Sequence, residues 1–176
     1  MTVALTATGL TKTYRTLFGG SRPALRGLTL TVPRGVSFGL IGPNGAGKTT
    51  FIKVLLGVVR PTGGDVSVRG GQPDDLNVRA RIGYLPERMH LPAALRALDF
   101  LRSIATLKSL SPTDAELRRS LERVGLATDS QRIGTFSKGM RQRLGLAAAM
   151  LGAPDLLILD EPTDGIDPVG RGEVRK

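Results

Sequence analysis

Apolar and polar positions along the chain change period several times, and each change marks an element. Leu28, Leu30 and Val32 alternate with polar residues, as do Val66 and Val68, and both stretches predict strands. Between them, Val36-Ser37-Phe38-Gly39-Leu40-Ile41 is a short apolar segment that reads as a buried strand. The spacing then becomes helical. Phe51, Ile52, Leu55 and Leu56 predict a helix over 50–56 that stops at Gly57, and Pro61-Thr62-Gly63-Gly64 is a turn signal. Farther on, Leu95, Leu98, Leu101, Ile104 and Ala105 make one apolar helix face. Ser111-Pro112-Thr113-Asp114 reads as a capping box with proline at the first helical position, followed by Leu117, Leu121 and Val124, with Gly125 as the stop. Another helix begins near Ser137, turns Met140, Leu144, Ala147, Ala148 and Leu151 inward, and ends at Gly152. Leu156-Leu157-Ile158-Leu159 is a second fully apolar strand. Strand, glycine-rich loop and helix, then inserted helices and a return strand, predict an α/β core with a helical subdomain at roughly 90–152.

The loop between the first apolar strand and its helix carries the sharpest chemistry. Gly42-Pro43-Asn44-Gly45-Ala46-Gly47-Lys48-Thr49 fits the phosphate-binding pattern G-x-x-x-x-G-K-[ST] without a mismatch. Its glycines allow a tight turn whose backbone N–H groups point at phosphate oxygens. Lys48 supplies a positive charge for the β- and γ-phosphates, and Thr49 a hydroxyl for Mg²⁺. The helix entered at Thr50 adds the partial positive charge of its N-terminus.

The second apolar strand ends in Asp160-Glu161. A buried strand that delivers two carboxylates is what a Mg²⁺–triphosphate site requires. Asp160 is expected to hold Mg²⁺ through water, opposite Thr49, and Glu161 to be the general base that orients the attacking water.

Composition narrows the setting. At 176 residues the chain fits one domain with a real core. Zero cysteines exclude disulfides, cysteine metal sites and thiol catalysis. No apolar run approaches the roughly 20 residues that span a bilayer, and the N-terminus lacks a signal-like pattern. A soluble chain is therefore expected, whose membrane role would need a partner. The net charge of +10 is uneven. No acid precedes Asp65, a stretch with eight basic residues, whereas the rest carries 17 basic against 15 acidic. The arginines are scattered, and two tyrosines with no tryptophan offer little base stacking, so no nucleic-acid partner is expected.

These motifs resemble the ATP-binding subunit of ABC transporters over almost the whole chain. The most diagnostic segment is Phe136-Ser137-Lys138-Gly139-Met140-Arg141-Gln142-Arg143, similar to the family signature L-S-G-G-Q. Phe136, Lys138 and Met140 depart from it in the manner of multidrug, antibiotic and polysaccharide exporters. The resemblance implies that Ser137 and Gly139 contact the γ-phosphate held by an opposite subunit; Ser137 also suits a helix N-cap. It implies that Tyr14 stacks on adenine. Glu87 stands where a glutamine usually senses Mg²⁺ and the membrane partner, and Asp167 in the segment that crosses the dimer interface.

The resemblance implies a P-loop NTPase with a RecA-like core, an N-terminal antiparallel β subdomain and an inserted helical subdomain. One family feature is missing: a γ-phosphate histidine some tens of residues beyond Asp167. The chain ends at Lys176, and its only histidine, His90, precedes the signature. The expectation is a C-terminally truncated member, residues 1–176, lacking its last strands and turning over ATP weakly. The expected function is ATP binding and hydrolysis, with ATP and Mg²⁺ as cofactors, Lys48 and Glu161 catalytic, and Thr49, Glu87 and Asp160 at the metal. Gly42 to Thr50, Tyr14, Ser137 and Gly139 would bind nucleotide. The partners would be a second ATP-binding subunit, in a homodimer or heterodimer, and integral membrane subunits that hold the chain at the cytoplasmic face of the cell membrane. The alternatives are a non-transport ABC ATPase of the DNA-repair or translation type, and an inactive fragment with an interaction role.

Overall fold

A computed structural model describes residues 2–15, 19–126 and 131–160. The chain divides into two compact units, Met1–Arg79 and Ala80–Lys176.

In the first unit, β1 (Val3–Arg15) lies between β2 (Ser21–Pro33) and β3 (Gly63–Val68), antiparallel to both. Leu5 pairs with Val32 on one side and Val68 on the other; Ala7 pairs with Leu30 and Val66. Leu5, Ala7, Leu10, Val32, Val66 and Val68 are all buried, so one face of the sheet supplies core. The alternation seen in the sequence at Leu28–Val32 and Val66–Val68 is this face. Helix α1 (Lys48–Leu55) packs on β2 and buries Phe51, Ile52, Val54 and Leu55. Each such side chain contributes roughly 1.5–3 kcal/mol of transfer free energy. A short helix α2 (Leu76–Ala80) buries nothing.

The segment from Val36 to Ile41 departs from expectation. It forms no strand, and Val36, Phe38, Leu40 and Ile41 are exposed, Ile41 at 95%. An apolar run states a preference for burial, but a strand also needs a neighbour that accepts from its N–H groups and donates to its C=O groups. Among the described residues no strand pairs with this segment.

In the second unit, β4 (Ile82–Leu85) and β5 (Leu156–Leu159) run parallel, with Ile82 opposite Leu156 and Leu85 opposite Leu159. Parallel pairing needs a crossover, and the helices supply it. They are α3 (Ala97–Leu107), α4 (Asp114–Glu122) and α5 (Lys138–Met150), with a 3₁₀ turn at Ile133–Thr135. Leu98, Leu101, Ala105, Leu117, Leu121, Ile133, Phe136, Leu144 and Ala147 form one buried cluster. Helix α5 also lies on β4, closely enough that a Cβ at Gly83 would collide with the carbonyl oxygen of Ala149.

Two local expectations change. The α4 cap is Thr113, two residues after Ser111, and its box closes with Glu116 rather than Asp114. Thr113 accepts from the Glu116 N–H, and the Glu116 carboxylate accepts from the Thr113 N–H at 2.7 Å. Glutamate is one methylene longer than aspartate and reaches back to the cap backbone, so Thr-x-x-Glu wins; Pro112 then precedes the cap. Strand β5 is half-buried rather than buried, with Leu157 37% exposed, because among the described residues it has one neighbour.

Candidate functional site

The phosphate loop forms as its residue types require. Gly45 and Gly47 have positive φ, at 84° and 94°. Gly47 is the N-cap of α1, and a Cβ there would strike the backbone carbonyl of Ala24. Glycine is thus demanded twice, by conformation and by space. Phe51 N–H closes the first helical turn onto Gly47 O at 2.8 Å. No side chain caps the helix, so its first N–H groups are left for an external acceptor. The Lys48 ammonium folds back onto the carbonyls of Gly42 and Pro43. Pro43, Asn44, Gly45, Ala46 and Thr49 are exposed, and Gly42, Gly47 and Thr50 half-buried. The structure brings Gly42 to Thr50 together as a loop and helix start with open donors.

Tyr14, in the same unit, sits near the end of β1, 37% exposed, with the Lys12 ammonium 5.2 Å from its ring centroid. An exposed aromatic face with a cation nearby is chemically suited to stacking.

The remaining candidates belong to the second unit. Ser137 caps α5, and its hydroxyl accepts from the Met140 N–H at 3.2 Å. The side chain is otherwise exposed, and Gly139 occupies the first turn. Glu87 lies exposed beyond β4, with Arg88 Nε 3.7 Å from its carboxylate. Asp160 follows β5, and its N–H donates to Leu85 O at 2.9 Å, extending the parallel ladder by one step. Glu161 and Asp167 lie outside the described residues.

Tyr84, which the sequence did not single out, is a half-buried residue of β4 in this unit. It shares a face of the β4–β5 sheet with Asp160. Burial, and then the charge of Asp160, push its phenol above the ordinary tyrosine range, with a smaller contribution from Glu87. Only the β4–β5 register brings this tyrosine to that acid. Its ring lines a cavity of about 360 Å³ shared with Ile82, His90, Phe100, Ile104 and Lys108. His90 is an exposed residue of this cleft. Burial holds the Lys108 ammonium below its ordinary range while it donates to Leu151 O at 3.0 Å.

The donor types fit Mg²⁺, a hard cation that takes oxygen ligands and keeps several waters. An exposed hydroxyl at Thr49 and a half-buried carboxylate at Asp160 are such donors. No group of three or more His, Cys, Asp or Glu residues able to hold a metal ion occurs among the described residues.

The family model described as ABC transporter matches residues 25–164. The chain belongs to this family. It is 39% identical to the bacitracin transport ATP-binding protein BcrA of Bacillus licheniformis, across 100% of this chain and 56% of that one. Its identity with the daunorubicin resistance ATP-binding protein DrrA3 of Streptomyces coeruleorubidus is 42%, across 97% and 54%. Among solved structures it resembles an ATP-binding subunit of an ABC transporter, with a TM-score of 0.82, 33% identity, and coverage of 96% of this chain and 70% of that one. The chain spans about half the length of the first curated ABC transporter relatives it matches. The P-loop NTPase fold and α/β class expected from the sequence stand on these likenesses. No helix among the described residues of this ABC family chain is long and apolar enough to cross a membrane.

Proposed function

We propose that this chain is an ATP-binding and ATP-hydrolysing subunit of an ABC exporter. The observation that carries the reading is the loop Gly42–Thr49, complete in sequence and folded onto an uncapped helix N-terminus, within a family match of residues 25–164. The loop N–H groups and Lys48 would bind the phosphates, and Tyr14 would stack on the base. Thr49 and Asp160 would hold Mg²⁺, with Glu87 near it; the ion supplies charge neutralisation at the β- and γ-phosphates. Glu161 would orient and deprotonate the attacking water.

A second copy would complete each site. Ser137 is an exposed helix cap with Gly139 in the first turn, so the start of α5 can meet an anion from outside. Head-to-tail pairing, with Ser137 and Gly139 of one copy toward the nucleotide of the other, uses that end. The relatives named for bacitracin and daunorubicin support export, powered through separate membrane subunits at the cytoplasmic face of the membrane.

Binding and turnover test the proposal together. The chain is expected to bind Mg-ATP and release phosphate, and Glu161→Gln to keep binding while losing turnover. Equal phosphate release by both proteins would remove Glu161 as the base. Failure of the parent chain to bind Mg-ATP would remove the function itself.

A further inference from the structure

Tyr14 stands near the end of β1, 37% exposed, so core packing alone does not fix its ring. Two residues earlier, Lys12 reaches over that ring. Its ammonium lies 5.2 Å from the centroid, within the roughly 6 Å of a cation–π contact. The same ammonium donates to Arg60 O at 2.8 Å. Arg60 belongs to the turn between α1 and β3. Two further bonds stitch this turn to β1. Thr62 N–H donates to Thr11 O at 2.9 Å, and Thr13 N–H donates to the Thr62 hydroxyl at 3.0 Å. Helix α1 starts in the phosphate loop, so the helix that carries the loop leads into the turn that tethers Lys12.

We propose that Lys12 is a positioning residue for Tyr14: tethered to the Arg60 carbonyl, its ammonium covers one face of the ring and sets the plane against whose other face a nucleotide base stacks. An ammonium has three donors, so one can hold the carbonyl while the charge still faces the ring. Methionine at position 12 would keep most of the stem and lose both the charge and the donor. Arginine would keep both, because a guanidinium also sits over aromatic faces. A cation–π contact at an exposed site corresponds to a factor of about two to five in affinity. The proposal rests on the reading of Tyr14 as the residue that stacks on the base.

Two probes separate the base from the phosphates. Isothermal titration calorimetry on the intact chain reads affinity for Mg-ATP and for magnesium with inorganic triphosphate, which carries no base. Lys12→Met is expected to weaken ATP by about two- to fivefold and leave triphosphate at the wild-type value. Lys12→Arg is expected to restore ATP binding. In a Tyr14→Leu background, Lys12→Met is expected to add nothing to the loss from Tyr14→Leu alone. Equal weakening of both probes by Lys12→Met would assign Lys12 to the fold or to the phosphates and overturn the positioning role. A loss in Lys12→Arg as large as in Lys12→Met would overturn it too. Wild-type ATP affinity in Lys12→Met, with a loss in Tyr14→Leu, would overturn the role of Lys12 and spare that of Tyr14. Unchanged ATP affinity in Tyr14→Leu would overturn the stacking reading and the positioning role with it.

Discussion

Ser137 caps α5, and the proposed function gives it a second role at a γ-phosphate; a pair of substitutions can separate the two. Its hydroxyl accepts from Met140 N–H at 3.2 Å and caps α5, the helix that packs on β4 and carries Leu144 and Ala147 into the core. Alanine removes the cap at a cost of about 1 kcal/mol, within a range of roughly 0.5–2. For a chain of this size that lowers the melting midpoint by about 2–4 °C per kcal/mol. Aspartate caps as well as serine and adds a charge favourable to the helix N-terminus, so Ser137→Asp is expected to melt at or above the wild-type temperature. In the proposed composite site, however, the carboxylate would repel a γ-phosphate to which the hydroxyl would donate. A hydrogen bond to a charged group contributes roughly 1.5–3 kcal/mol, so phosphate release is expected to fall by at least about tenfold to a hundredfold. Differential scanning calorimetry reads the first effect and steady-state phosphate release the second. A Ser137→Asp protein as unstable as Ser137→Ala would refute the cap argument. One that hydrolyses ATP at the wild-type rate would refute the phosphate role.

Gly83→Ala is expected to destabilise the protein by roughly 1–3 kcal/mol, because the new methyl meets the Ala149 carbonyl, a backbone atom that cannot swing away. Gly145→Ala is expected to cost less, since its first obstacle is the thioether end of Met89; the reverse order in thermal melts would contradict this packing. The α4 capping box predicts a pH dependence. The Thr113 N–H, and then its hydroxyl, hold the Glu116 carboxyl below its ordinary value of 4.5. The folded state therefore binds fewer protons than the unfolded state just below that pH. The stabilisation is complete above about pH 4.5 and is lost as pH falls through the depressed folded value. The melting difference between wild type and Glu116→Ala should shrink on acidification below that point, and a difference that grows would contradict the box.

Local chemistry was legible wherever a residue and its near neighbours sufficed. The phosphate loop needs positive φ at Gly45 and Gly47, and the sequence shows glycine at both. Ser137 at the head of an apolar-periodic run announced α5 and its cap. The α4 box forms two residues beyond Ser111 because Ser111 and Thr113 are both good caps and the reach of Glu116 decides between them. Val36–Ile41 shows the limit: six residues of strand-like composition are exposed coil in the structure, because hydrophobicity names no pairing partner. Tyr84 shows the converse: Asp160, whose charge helps raise its phenol, follows a strand more than seventy residues away.

The amino-acid sequence by itself determined the glycine-rich loop, the cap of α5 at Ser137, and the acid at the end of the last described strand. Each depends on backbone conformation, capping or periodicity within a few neighbouring residues. Tertiary structure alone decided which apolar segments found partners, that β4 runs parallel to β5, and that Tyr84 and Asp160 share one face of that sheet. Those outcomes depend on hydrogen-bond register and close packing between distant segments. A parallel register sets which side chains meet only after the crossover helices have packed and brought the two strands side by side.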